Sequence, residues 1–191
     1  MDITALAELD KSLFHALNGF MASPVMDQLM ELTSNRWTWG LLGAAAVAFA
    51  LFRRRVRLVS LCVMIALTCA VVDSVTYQIL KPAFARERPC HQLQDVRLVQ
   101  DRCGGDFGFP SNHAANGMAV TVVVGLTIRR RRPILIGLIG TFLTGFSRVY
   151  LGVHFPGDVL AGFIVGGLLG WACYAGYSRT VTRWLPLTAP L

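Results

Sequence analysis

The sequence is short of charge. Asp, Glu, Lys and Arg make up 15% of its 191 residues, where a soluble globular domain carries roughly 25%. Acidic residues are the scarcer sign, 11 against 18 basic ones. No group of carboxylates or thiolates accompanies the histidines, which excludes the common transition-metal ligand sets. Aromatic residues are missing from the basic stretches. "RRRVR" at 53–57 and "RRRR" at 129–132 stand between long apolar runs, unlike the basic face of a nucleic-acid binder. A basic leader is missing too: Asp2, Glu8 and Asp10 precede the first apolar run, the opposite of a secretory signal. Internal repeats and low-complexity tracts are absent.

What the chain has in abundance is apolar sequence: 54% of its residues are hydrophobic. Its length fits one domain over 1–191. The pattern is that of an all-α, polytopic membrane helix bundle. Residues 1–36 read as amphipathic interfacial helices. Leu6, Leu9, Leu13, Leu17 and Phe20 recur at helical spacing, and Ser23-Pro24 is an N-cap followed by proline at the first helical position. Five spans are expected within 37–191: Trp37 to Phe52, Leu58 to Leu80, Ser111 to Ile128, Pro133 to Phe146 and Asp158 to Tyr177. The arginine clusters belong on the cytoplasmic side. Alternation then puts the N-terminus, residues 81–110 and residues 147–157 outside, with Arg179 and Arg183 inside.

This topology brings the remaining polar residues to one end. Lys81, Arg86, Arg88, Ser111, Asn112, His113, Ser147, Arg148, His154 and Asp158 all fall at or beside outer helix ends. Cations with two histidines suit phosphoryl transfer. The cations hold phosphate oxygens and offset transition-state charge, one imidazole attacks phosphorus, and the other protonates the leaving oxygen.

Three segments carry a family resemblance: "KPAFARERP" at 81–89, "PSNH" at 110–113 and "SRVYLGVHFPGD" at 147–158. They resemble the type 2 phosphatidic acid phosphatase superfamily, whose signature is K-x6-R-P, P-S-G-H and S-R-x5-H-x3-D. All three spacings match, with Asn112 standing where the family usually has glycine. The resemblance implies a metal-independent, cofactor-free phosphatase. In it Lys81, Arg88 and Arg148 bind phosphate, and Ser111, Ser147 and the Asn112 amide add hydrogen bonds. His154 would be the nucleophile, Asp158 its orienting carboxylate, and His113 the acid and then the base.

Asp73 sits inside the second expected span, where ionisable residues are costly and usually functional. Its spacing from Tyr77 and Lys81 places all three on one helix face, so it is read as steadying the phosphate-binding cluster. Arg86 lies outside the signature and reads as a rim contact. Tyr150 and Phe155 read as packing aromatics. Cys62, Cys69 and Cys173 fall within apolar spans. Cys90 and Cys103 share the long outer loop, in an oxidising compartment, and are expected to form a disulfide. The expectation is therefore an inner-membrane enzyme, embedded in the bilayer, with an outward-facing site. Undecaprenyl diphosphate is its first substrate, with phosphatidylglycerophosphate, phosphatidic acid or lipid A phosphate as alternatives. An anionic-lipid transporter is a rival of another class, but no inverted repeat supports it. Vanadate haloperoxidases share the motifs but are soluble.

Overall fold

The structure is a computed structural model that describes residues 2–100 and 102–180, apart from the side chains of Ile3 and Thr180. Arg183 and the rest of 181–191 lie outside the described residues. Among those described, the regular elements are helical, and β pairing is confined to an isolated bridge between Glu87 and Phe107. The elements are α1 (Ile3–Asn18), α2 (Pro24–Ser34), α3 (Arg36–Phe52), α4 (Val56–Ser74), a π-helical turn (Val75–Leu80), α5 (Lys81–Phe84), α6 (Pro89–Gln92), α7 (Asn112–Ile128), α8 (Arg131–Tyr150) and α9 (Pro156–Thr180).

Local chemistry accounts for several boundaries. Ser23 Oγ accepts the Met26 N–H at the start of α2, with Pro24 at the first helical position. Asn35 Oδ1 accepts the Trp37 N–H at 2.9 Å and starts α3. Ala85 adopts a left-handed conformation (φ 44°) that ends α5. Val56–Phe84 forms one 29-residue rod through the π turn.

That rod, α8 and α9 are long and apolar enough to cross a membrane. The other two expected spans, α3 and α7, have 17 residues each. They cover about 25 Å at 1.5 Å per residue, less than the ~30 Å hydrocarbon core. Three of the five expected spans thus meet the length criterion. The fourth exceeds its expected bounds. Pro133 lies in the first turn of α8, where its missing N–H costs little, and the helix continues past Phe146 to Tyr150.

Helix α7 is the centre of the bundle and packs against α4, α8 and α9. Its seam with α9 is built from small residues. Gly162, Gly166 and Gly170 recur every fourth residue and lie against Ser111, Ala115 and Ala119, a spacing that lets two backbones approach closely in lipid. A Cβ on Gly162 would stand 2.5 Å from the Ser111 carbonyl oxygen. The seam therefore holds the start of α9 directly against the start of α7. Outward faces stay apolar, with Leu41 and Leu42 of α3, Ile136 and Ile139 of α8 and Ile164 and Leu168 of α9 exposed.

The N-terminal helices lie over the opposite ends of α8 and α9 from the arginine clusters. In α1 the expected leucine stripe meets the protein through Leu17, which packs against the cluster around Phe14 and Phe155. Leu6, Leu9, Leu13 and Phe20 are exposed, whereas Phe14 and Asn18 are buried. Phe14 packs edge-on against Phe155 with centroids 5.4 Å apart. Asn18 Nδ2 donates to the Tyr150 and Arg97 carbonyls at 2.8 and 3.0 Å, and its Oδ1 accepts the Arg97 N–H. Arg97 in turn pairs with Asp27 of α2 through Nη2, at 2.7 and 2.8 Å from the two carboxylate oxygens. That pairing holds the Asp27 carboxyl below the usual carboxylate range. Cys90 and Cys103 are joined by a disulfide, with Cα atoms 6.0 Å apart.

Candidate active site

The helix ends that meet under α1 and α2 bring the three signature segments together. The first arrives through the π turn. A π turn closes i to i+5 rather than i to i+4, which carries Lys81 onto the buried side with Val72 and Thr76 and leaves Asp73 and Tyr77 exposed. The face shared by Asp73, Tyr77 and Lys81 in the sequence reading is kept in part: Lys81 Nζ lies over the Tyr77 ring, 5.5 Å from its centroid, while Asp73 turns away. Lys81 Nζ donates to the Phe107 and Gly108 carbonyls at 2.9 and 3.3 Å. Asp73 turns to α7, where its Oδ1 accepts from Asn112 Nδ2 at 2.6 Å and Asn116 Nδ2 at 2.8 Å. Its contact is thus with the Asn112 side chain and not with the cations.

Arg88 is buried and threaded among carbonyls. Its Nε donates to Gly105 O at 2.6 Å, its Nη1 donates to Val153 O at 2.9 Å, and Nη1 also lies 3.1 Å from His154 Nε2. An arginine nitrogen can only donate, so Nε2 is the acceptor and the ring proton sits on Nδ1. On that side Asp158 Oδ2 stands 3.4 Å away and also accepts the Phe155 N–H at 3.0 Å. His154 thus carries its lone pair on Nε2, where Arg88 donates to it, with a carboxylate behind Nδ1. Burial drives the imidazole well below its ordinary value, and Arg88, Arg148 and Lys81 add to this in that order; a hydrogen bond to the Gly108 carbonyl works the other way. The cations crowd one ring, which stays neutral.

The second segment stands opposite. Ser111 occupies the N-cap position of α7, but its side chain makes no capping bond. Instead its N–H donates to the Asp158 carbonyl at 2.9 Å, and its Oγ is buried with no partner. Of cap and site, the hydroxyl is free for the site. His113 follows on the first turn of α7, within electrostatic reach of Arg148, His154 and Arg88, and its ring hydrogen-bonds the Ser34 backbone. Arg148 donates through Nη1 to Ser34 Oγ, while its Nε is buried and unpartnered. Ser147 departs from its expected role: it is fully buried and its hydroxyl donates to Thr144 O at 2.7 Å, one turn back in α8.

Two contributions were not foreseen. Ser34, at the end of α2, touches both Arg148 and His113, and its serine carries no motif to announce it. Arg86 is not a rim contact. It bridges Asp158 Oδ1 at 2.9 Å and Asp10 Oδ2 of α1 at 2.6 Å. Among the described residues, the group close enough to share a metal ion is Cys90, His91 and Cys103; its two cysteines are tied in the disulfide and offer no thiolate.

The chain resembles membrane phosphatases named for several lipids. It is 33% identical over 178 residues to the lipid A 4'-phosphatase of Bacteroides thetaiotaomicron, covering 90% of this chain and 78% of that one. It is 29% identical to the lipid A 4'-phosphatase of Porphyromonas gingivalis, covering 97% and 80%. Its fold matches the crystal structure of Aquifex aeolicus LpxE with a TM-score of 0.67 at 25% identity, over 87% of this chain and 95% of that one. The profile of the PAP2 superfamily matches residues 57–181, from the start of α4 past the end of α9. With that match spanning all three signature segments, the chain belongs to the PAP2 superfamily, as a membrane lipid phosphatase.

Proposed function

We propose that the enzyme removes phosphate from lipid A at the outer face of the inner membrane, through a phosphohistidine and without a metal. The observation that carries the chemistry is the state of His154, buried and neutral, with its Nε2 lone pair beside Arg88 and its Nδ1 toward Asp158. Nε2 attacks phosphorus as the bond to the leaving oxygen breaks, and His113 gives that oxygen its proton. Water then attacks phosphorus as the P–N bond breaks, its electron pair returning to Nε2, His113 takes the water's proton, and inorganic phosphate departs. Arg88, Arg148 and Lys81 hold the phosphate oxygens throughout. Ser111 Oγ and Arg148 Nε, both buried without partners, are suited to receive them.

The substrate reading rests on the relatives. An outward-facing site alone favours undecaprenyl diphosphate. Two relatives whose sequences align with nine-tenths or more of the chain are named for lipid A, and although a phosphatidylglycerolphosphate phosphatase structure covers 94% of it at 24% identity, the sequence likeness moves the first choice to lipid A phosphate. The whole chain acts as one catalytic domain, with the arginine clusters on the cytoplasmic side.

The test is phosphate release by the purified chain in detergent from lipid A 4'-phosphate, undecaprenyl diphosphate, phosphatidylglycerophosphate and phosphatidic acid, each with and without EDTA. Lipid A is expected to give the highest kcat/KM, and EDTA is expected to change nothing. A tenfold preference for another lipid would replace the substrate. Loss on chelation, restored by added metal, would replace the mechanism. Acid-quench trapping should place the phosphoryl group on His154.

A further inference from the structure

We infer that Arg86 and Asp10 are positioning residues of the reaction, so that the N-terminal helix α1 is part of the machinery that aims the nucleophile. This rests on the proposed role of His154.

Asp158 is fully buried. A buried carboxylate is stable only when its charge is balanced and its lone pairs are occupied. Its Oδ2 accepts the Phe155 N–H and faces His154 Nδ1. The whole of the remaining oxygen is given to Arg86 Nη1, at 2.9 Å. Arg86 therefore fixes the plane of the carboxylate, and that plane decides whether Oδ2 points at Nδ1. Arg86 is itself fixed on two sides. Its guanidinium lies over the Phe155 ring at 4.5 Å, and its Nη2 donates to Asp10 Oδ2 at 2.6 Å. Asp10 is held by the Gly157 N–H, which donates to its Oδ1 at 2.7 Å. Gly157 is the residue this approach requires, since a Cβ there would stand 2.7 Å from Asp10 Oδ2. The result is a continuous chain, Asp10 to Arg86 to Asp158 to His154, in which anion, cation and anion lead to the neutral imidazole. It starts on α1 and ends at the attacking ring. A simple clamp between α1 and the loop would not need to end on the oxygen opposite the imidazole.

The experiment compares Asp10→Asn, Asp10→Glu, Arg86→Gln and Arg86→Lys with the wild-type chain in detergent, with His154→Ala as control and p-nitrophenyl phosphate as substrate. Partners that orient a metal-bound histidine are worth about 10- to 100-fold in activity, and the same range is expected for a partner that orients an attacking one. Asp10→Asn and Arg86→Gln should lower kcat by that factor at nearly unchanged KM. Rapid-quench phosphohistidine formation should slow to the same extent, and Asp10→Glu should recover most of the loss. The isosteric Asp10→Asn keeps the result readable if an arginine variant does not fold. Unchanged kcat per folded molecule in Asp10→Asn, with lowered thermal stability alone, would overturn the inference. Phosphohistidine still forming in His154→Ala would instead overturn the reading of the nucleophile.

Discussion

Attack on phosphorus needs an imidazole with an unprotonated nitrogen, and His154 is kept in that form by its surroundings. Burial and three nearby cations lower its affinity for a proton. The sign is then fixed: above the ordinary histidine value, about 6.5, and for some distance below it, the ring is neutral. The acid limb of kcat/KM reports the free enzyme. Once corrected for the substrate phosphate's own ionisation near about 6, it should therefore fall below about 6.5. A limb at or above that value would show that another group carries the attack. At this scale the sequence was informative wherever a residue belongs to a spaced motif. Lys81, Arg88, Ser111, His113, Arg148, His154 and Asp158 were legible because their spacing places them at helix ends that must meet. Ser34 and Asp10 were not. Their partners lie 114 and 76 residues away along the chain, and nothing local distinguishes them from an ordinary helix serine and an exposed helix aspartate. Arg86 was visible as a cation, but its partners were not.

Among the elements, the pairing of α7 with α9 does most to shape the site, because it sets the start of one helix against the start of the other. Gly166 lies at the middle of the seam. A Cβ there would overlap the Ala115 carbonyl oxygen and stand 2.7 Å from the Ala115 Cα, both backbone atoms that cannot swing aside. Gly166→Ala should therefore destabilise the bundle by about 1–3 kcal/mol, the usual range for overpacking, and lower the melting temperature in detergent. Gly140 of α8, where no described residue lies within 4 Å of the added atom, is the control, and Gly140→Ala should melt at or above the wild type, since alanine is the better helix former. A Gly166→Ala protein as stable as the control would show that the helices are free to separate. The start of α2 could be read from Ser23-Pro24, and the long rod and α9 from hydropathy. The π turn could not, because no residue pattern marks it; it alone moved Lys81 away from Asp73. The buried side of α1 was misjudged in part for a related reason. The leucines that share a face would suit a lipid surface, and of them Leu17 meets the protein, beside Phe14 and Asn18, which do not look like a stripe.

At the scale of the whole molecule, the end that carries the site is closed by the disulfide loop and by α1. Cys90 and Cys103, 13 residues apart, close a loop whose cross-link contributes about 3 kcal/mol in the chain-entropy account. The same loop carries Leu93 and Val96 onto the cluster around Phe14 and Phe155, so the cross-link and the α1 contacts support one another. Replacing both cysteines by serine should lower the melting temperature and raise KM more than it lowers kcat, since the loop positions Arg88 and not the nucleophile. Unchanged melting would mean that packing alone holds the loop. There is also a consequence for how the enzyme is made. Asn18 leaves the ribosome well ahead of its partner, since the Tyr150 carbonyl it must bind is 132 residues further on. At 5–20 residues per second, that partner follows roughly 7 to 26 seconds later. Asp10 waits longer still for Gly157. During that interval the N-terminal helices have no seat, His154 has not been synthesised, and the nascent chain meets the membrane's phosphorylated lipids before its three signature segments can come together.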